Sequence, residues 1–402
     1  MKVLQINSFF SVGGPPRIMN GIYDTLKEKG FDCKIAASRE KMYAPQDSYQ
    51  VCDNYKVRVY ALKARILDNE GFNATRETKR LVDYIKEYNP DVIHLHNLHG
   101  YCFDIGVLFS FLKTANKPVV WTLHDCWTLT GHCAHFAIIG CEKWKTGCYS
   151  CPQSREYPAS IISDRSRQNY SMKRVTFSGV KNMTIVTPSN WLASYIPDSI
   201  LKEYPVKVIH NGIDLKVFSR TKSDVLKRNG LESKKIVLGV AQNWSEKKGL
   251  EDFVELSKRL SNSYKVVLIG VTNEQKKVLP VSMYGVTRTE SIQELIEWYS
   301  AAQVFVNLTY QDTFPTVNIE ALACGTPVIT YRTGGSPEAV DESCGWVVEQ
   351  GDIQRVVDLI YNMRPNDFYK EAAIKRSKRF GRQERYNEYC ELYREICVDI
   401  HE

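Results

Sequence analysis

Asp312 and Glu320 stand eight positions apart within the segment QDTFPTVNIEALACGTPVITYRTGG, residues 311–335. One acid lies in a turn-like Asp312-Thr313-Phe314-Pro315 stretch and the other inside the helix that should follow it. The deeper carboxylate is suited to accept hydrogen bonds from a pair of vicinal hydroxyls. Thr313 and Thr316 are candidate N-caps, Pro315 suits a first helical turn, and Gly325 suits the position just past the helix end. The predicted helix is about three turns long, and its unpaired N–H groups could meet an anion or sugar oxygens. An apolar strand, Pro327–Thr330, then leads to Gly334-Gly335. The same residues also fit an ordinary helix start whose acids answer the helix dipole.

Other reactive side chains cluster at the ends of apolar runs. His124-Asp125 closes Val119–Leu123, where an imidazole can act as donor to a sugar hydroxyl or as a charge-tuned group. The alternative is a structural histidine with Asp125 as its partner. His94 and His96 share one strand face; His96 could line a ligand crevice, and a metal site with His94 and His99 is the other reading. Gly13-Gly14 follows the first strand, where glycines let backbone approach a diphosphate. It is not the G-x-G-x-x-G fingerprint, which argues against a nicotinamide enzyme. Arg17, just beyond, could pair with an acceptor or phosphate, or simply form a surface salt bridge.

The elements that must carry these residues read as alternating strands and helices. Val3–Asn7, Lys34–Ala37, Val92–Asn97, Val119–His124 and Thr184–Thr187 form a first set of predicted strands. Val206–Ile209, Ile236–Ala241, Val266–Gly270, Val304–Leu308 and Val328–Thr330 form a second, with helical patterns such as Glu77–Glu87 and Ile292–Ser300 between them. Two βαβ series imply an α/β protein of two doubly wound, Rossmann-like domains facing a cleft, residues 1–204 and 205–383. The 402 residues and 43% hydrophobic content allow two cores. No run approaches the ~18 apolar residues of a membrane span; the longest, Ile105–Leu112, predicts a buried helix. The opening MKVLQINSFF has no export signal, which predicts a cytoplasmic chain, and twelve cysteines there should be thiols or metal ligands.

The motif Glu320–Val328, EALACGTPV, resembles that of the retaining, nucleotide-sugar-dependent glycosyltransferases of family 4, which have the GT-B fold. The resemblance extends over almost the whole chain. It implies that Glu320 binds the ribose of a nucleotide-diphosphate sugar, and that Asp312, where many members have Glu, contacts the donor sugar. It implies a functional histidine at His124 near the sugar ring, and a Gly13-Gly14 loop touching donor phosphates and acceptor. Thr313, Phe314 and Thr316 fall in the donor-binding turn. Lys248 in AQNWSEKKG matches the lysine that neutralises the leaving diphosphate, while Gln242 stands where members have Arg. Either Gln242 donates a neutral hydrogen bond, or Lys247 or Arg288 moves in. Tyr284–Arg288 resembles the base-contacting loop, and His210–Asp214 the inter-domain turn. The last helix, within residues 384–402, is implied to pack back on the first domain. Catalysis is implied to need no metal.

Cys133, Cys141, Cys148 and Cys151 give C-x7-C-x6-C-x2-C inside residues 126–152, with Cys126, His132 and His135 nearby. That spacing can surround one structural zinc; free thiols, a redox pair or an iron–sulfur cluster are the alternatives. Some bacterial polysaccharide glycosyltransferases look similar here, with His-Asp-x-Trp followed by Thr-Gly and cysteines. The formal charge of +7 gathers in Lys56, Arg58, Lys63 and Arg65 and in Lys375, Arg376, Lys378, Arg379, Arg382 and Arg385. Such faces fit an anionic membrane surface and a polyprenyl-diphosphate-linked or other glycan acceptor, or are merely solvated. No groove-reading motif accompanies them, which argues against nucleic acid. The sequence therefore predicts a glycosyltransferase of capsular, exo- or O-antigen polysaccharide synthesis, at the inner face of the plasma membrane or free in the cytoplasm. A nucleotide-sugar epimerase or phosphorylase, or a non-catalytic binding module, are the rival readings.

Overall fold

Strands buried on both faces need continuous apolar runs, and the short runs of this chain become parallel strands for that reason. The computed structural model describes residues 1–11, 13–39 and 44–398. The chain divides into two units, residues 1–210 with 385–402, and residues 211–384.

The first unit holds a seven-stranded parallel sheet. Its strands are β1 Lys2–Ile6, β2 Asp32–Ala37, β3 Tyr49–Gln50, β4 Val92–Leu95, β5 Val119–Thr122, β6 Met183–Thr187 and β7 Val206–Val208, in the order β3-β2-β1-β4-β5-β6-β7. Val206–Val208, which the sequence reading assigns to the second domain, pairs with β6 and closes the first sheet. The division accordingly falls at His210/Asn211 rather than at Tyr204/Pro205. The apolar run from Ile105 lies in a helix, Ile105–Ala115, whose Ile105, Leu108, Phe109 and Leu112 are buried.

The second unit holds a six-stranded parallel sheet of β8 Lys235–Val240, β9 Tyr264–Ile269, β10 Met283–Val286, β11 Val304–Asn307, β12 Val328–Tyr331 and β13 Gly345–Val348, ordered β10-β9-β8-β11-β12-β13. In each sheet the chain first builds outward to one side and then returns to build the other. The reversal lies between β1 and β4 in the first sheet and between β8 and β11 in the second. Loops leaving the carboxyl ends of strands at such a reversal diverge and leave a crevice.

The last described helix, Arg382–Val398, belongs from Arg385 onward to the first unit. Its Tyr386, Tyr389, Cys390, Leu392 and Tyr393 pack with Val3, Ile18, Ile22, Leu26 and Val120. The fit is close at Gly21, on helix Gly14–Glu28, where any Cβ would overlap the Tyr386 ring. Among the described residues no helix is long and apolar enough to cross a membrane.

Candidate functional site

The β8–β11 reversal brings the chemistry of the second unit together. The loop after β8 carries Lys248, and the loop after β11 carries Asp312. Lys248 Nζ lies 2.8 Å from Asp312 Oδ2 and 3.4 Å from the Gln311 carbonyl. The two loops are also joined through backbone: Tyr310 N donates to the Lys247 carbonyl at 2.9 Å, and Thr309 Oγ1 to the same oxygen at 3.2 Å. On the other side, Gly335 N donates to the Thr313 carbonyl at 3.1 Å. Gly334, at φ +53°, packs so tightly on the Asp312 carbonyl that no side chain fits. Three loops from adjacent strands thus fix the Asp312 turn.

Helix Thr316–Ala323 leaves that turn. Neither threonine caps it: Pro315 occupies the N-cap position without a side-chain cap, and the helix is eight residues, shorter than the sequence predicted. Without a donor on its own nitrogen, Pro315 closes the turn cheaply. The Thr316 hydroxyl, freed from capping, donates instead to Glu320 Oε1 at 3.3 Å. Tyr299 Oη donates to Glu320 Oε2 at 3.0 Å. Glu320 is buried, only 2% exposed, and these two hydroxyls hold its carboxylate in one orientation. Gly325 follows the helix end with φ +76°, as the sequence predicted.

Thr313 and Phe314 are buried behind this turn. Gln242 is exposed on the β8 loop. Arg288 is also exposed, beyond β10, which lies two strands from β8. At ~5 Å per strand that is on the order of 10 Å away. Sequence reasoning missed Tyr299 and Asn318. Buried Asn318 accepts from Asn307 Nδ2 at 2.8 Å, and its Nδ2 lies 3.4 Å from the Ser336 carbonyl. An asparagine two positions before the acid on an otherwise apolar helix was the available signal.

In the first unit the β1–β4 reversal gathers histidines. Ser8 Oγ, just after β1, donates to the Asn97 carbonyl at 2.8 Å and also contacts that of His99. Gly13, at φ +99°, is the N-cap of helix Gly14–Glu28; Gly14 and Arg17 are exposed on its first turn. His96 Nδ1 lies 3.0 Å from His124 Nε2. Asp125 pairs with His99, Nε2 to Oδ2 at 2.7 Å, and accepts from Trp127 N at 2.9 Å, while its charge also acts on His124. Burial presses the Asp125 carboxyl upward, but His99 outweighs it and holds the group well below the usual range. Burial drives His124 down to about 4 and His94 and His96 well below their ordinary value.

The cysteine loop is tied to the first unit by buried polar contacts. Among the described residues no three His, Cys, Asp or Glu side chains gather closely enough to hold a metal ion, either here or at His94, His96 and His99. The sulfurs take local partners: Cys148 Sγ accepts from Gly131 N at 3.2 Å. A hydrogen bond from Cys133 holds the Cys151 thiol below its ordinary value. Cys141, Cys148 and Cys151 pack against the first unit's core beside buried Cys133. Buried Lys173 pins the loop, donating to the Trp127 and Thr130 carbonyls at 2.7 and 3.0 Å. Its Nζ stands 3.3 Å from the Trp127 ring centre. His132 Nδ1 lies 2.5 Å from Asp68 Oδ1, and Asp164 accepts from Cys151 N at 2.6 Å. A buried ammonium and two carboxylates, distant in sequence, thus tie down the loop.

The model of Glycosyltransferase Family 4 matches residues 12–217, just over half the chain, and that of Glycosyl transferases group 1 matches residues 234–364. The chain belongs to glycosyltransferase family 4. The glycosyltransferase is similar to a protein of Escherichia coli K12 named as a colanic acid biosynthesis glycosyl transferase, WcaC, at 24% identity over 89% of this chain and 90% of that one. It is also similar to the capsular polysaccharide biosynthesis glycosyltransferase CapM of Staphylococcus aureus, at 26% identity over 44% of this chain and 50% of CapM. Its fold matches sucrose-phosphate synthase of Thermosynechococcus elongatus, TM-score 0.70 and 16% identity, covering 99% of both chains. It also matches Anabaena HepE in complex with UDP, TM-score 0.68 and 15% identity, covering 98% of this chain and 99% of HepE. Two parallel-sheet Rossmann-like domains are the GT-B architecture, and the enzyme is a transferase.

Proposed function

We propose that this glycosyltransferase moves a sugar, with retention of anomeric configuration, from a nucleotide-diphosphate sugar to a lipid-linked glycan acceptor in bacterial capsular, exo- or O-antigen polysaccharide synthesis. The observation that carries the reading is Glu320, buried and oriented by Tyr299 and Thr316, on the helix that follows the Lys248–Asp312 pair. A carboxylate held in that way suits the vicinal hydroxyls of a ribose. Lys248 would neutralise the departing diphosphate, and Asp312 would then be released to meet the sugar. Gln242 would add a neutral hydrogen bond; Arg288 starts too far along the sheet to replace a fixed arginine without loop movement. In the first unit, the Gly13-Gly14 amides would face phosphate, His124 the sugar, and Arg17 and His96 the acceptor side. The bond from C1 to the diphosphate oxygen breaks as the acceptor oxygen bonds to C1 on the same face. The diphosphate takes the acceptor's proton.

UDP-bound HepE and the polysaccharide names of WcaC and CapM support the donor class and the pathway. The test is thermal shift against UDP, GDP, ADP and CDP. A ligand at a hundred times its dissociation constant adds about 2.7 kcal/mol, and no shift with any of the four would refute the reading.

We also propose peripheral binding to an anionic membrane through helix Asn54–Leu67. Its Lys63 and Arg65 stand with exposed Leu62, Ile66 and Leu67. Ile161 and Ile162, 72% and 74% exposed, sit beside its last turn, since Ile161 N donates to the Arg65 carbonyl at 2.8 Å. Cations around projecting apolar side chains fit a headgroup layer. Lys56 is instead engaged by Glu77 at 3.3 Å. The second basic cluster is partly structural: Arg376 donates to the Glu338 and Ala339 carbonyls, Arg382 pairs with Asp214 and Arg385 with Glu388. Sedimentation with phosphatidylglycerol vesicles should fall when Ile161→Ser and Ile162→Ser are combined; unchanged sedimentation would refute this surface.

A further inference from the structure

A polar residue of β1, Gln5, is fully buried. Its Nε2 donates to the Met19 carbonyl at 3.1 Å, with Cys33 Sγ at 3.8 Å beyond it. The amide is therefore oriented, and Oε1 is left as an acceptor. His96 Nε2 lies 3.0 Å from that oxygen, so His96 must carry its proton on Nε2. A neutral imidazole holds one proton, and burial beside His94 and His124 keeps His96 neutral. Its Nδ1 is then an acceptor, and the group 3.0 Å away, His124 Nε2, must donate. The hydrogen bonds run one way, from His124 to His96 to Gln5 to the backbone.

We infer that Gln5 and His96 are positioning residues that set the tautomer of His124, protonated on Nε2 with Nδ1 as acceptor. Whatever ligand atom meets Nδ1 must then be a hydrogen-bond donor, a sugar hydroxyl and not a phosphate oxygen. This reverses the donor role that the sequence assigned to His124. It deepens the reading above, since it concerns how the first unit selects the transferred sugar, but its test needs no ligand. The direction of the relay depends on Gln5 alone being unable to donate from Oε1, so one substitution can reverse it.

The experiment is two-dimensional ¹H–¹⁵N correlation of the ¹⁵N-histidine-labelled full chain, with His124 assigned by comparison with His124→Asn. The wild type should show His124 with Nε2 protonated and Nδ1 bare. Gln5→Leu removes the acceptor and should give a mixture of both His124 tautomers. Gln5→Met keeps the volume but not the acceptor and should give the same mixture, which separates the relay from a general packing defect. If Gln5→Leu fails to fold, His96→Phe tests the same step, again with mixed tautomers expected. A wild-type His124 protonated on Nδ1, or a His124 signal unmoved by Gln5→Leu or His96→Phe, would overturn the inference. UDP binding through the second unit should be unaltered in both Gln5 variants, so loss of the relay and loss of donor recognition read out separately.

Discussion

Replacing Glu320 with Ala should separate ribose recognition from folding. Its carboxylate accepts from Tyr299 and Thr316 in a site almost closed to solvent. Truncation leaves the buried Tyr299 hydroxyl without its acceptor, a cost of about 1–3 kcal/mol in stability. A vicinal diol donating to a carboxylate makes two charge-assisted hydrogen bonds, each worth roughly 1.5–3 kcal/mol. Allowing for solvent competition, Glu320→Ala should weaken nucleoside diphosphate binding by about 100-fold, or roughly 2.7 kcal/mol. Glu320→Gln keeps the shape but not the charge and should lose about tenfold. Titration calorimetry with UDP and 2′-deoxy-UDP makes the comparison internal to each protein. The wild type should discriminate against the deoxy ligand, and Glu320→Ala should not. Equal UDP affinity in wild type and Glu320→Ala, or unchanged discrimination, would refute the assignment of this carboxylate to the pentose.

If Lys248 answers the diphosphate and not the base, as proposed, Lys248→Met should reduce UDP affinity about tenfold while leaving uridine affinity unchanged; competition calorimetry checks this. Gly21→Ala should destabilise the first unit by about 1–3 kcal/mol, since the new methyl must displace the Tyr386 ring; the shift in urea midpoint measures it. Lys173 carries a pH signature. Burial lowers its ammonium to about 7, below its unfolded value of roughly 10.4. Between those values the unfolded chain holds a proton that the folded one has lost, so this group makes stability rise with pH, by on the order of a few kcal/mol. Below pH 7 both states are protonated and the contribution is flat. Lys173→Met should abolish the rise between pH 7 and 9.5 in urea titrations; an identical slope in the variant would exclude Lys173 as its source.

The strands and the turn-and-helix that carries Asp312 and Glu320 were legible in the sequence because their signals are local. Runs such as Val304–Asn307 must be buried on both faces, and a turn followed by EALACGTPV keeps its acids in fixed register along one helix. Val206–Val208 was misplaced because an apolar triplet does not state which sheet it joins; only pairing with β6 decides that. The same limit applied to Asp125, whose ion pair with His99, 26 positions away, no local pattern announces. The cysteine spacing drew attention to a metal and said nothing of Lys173 and Asp68, outside the loop, which tie it down.

By itself the sequence determined the class of fold, the order of the strands along the chain, and the places of Asp312, Glu320, Lys248 and His124 at the ends of strands and in the helix after one. Those properties follow from hydrophobic period and short-range spacing, which the chain carries wherever it folds. The tertiary structure alone decided the hydrogen-bond partners: Tyr299 for Glu320, Asp312 for Lys248, and Gln5 through His96 for His124. Such pairings join residues 21, 64 and 91 positions apart. They exist only when parallel strands bring distant segments side by side in a dry interior, where each donor must find its acceptor.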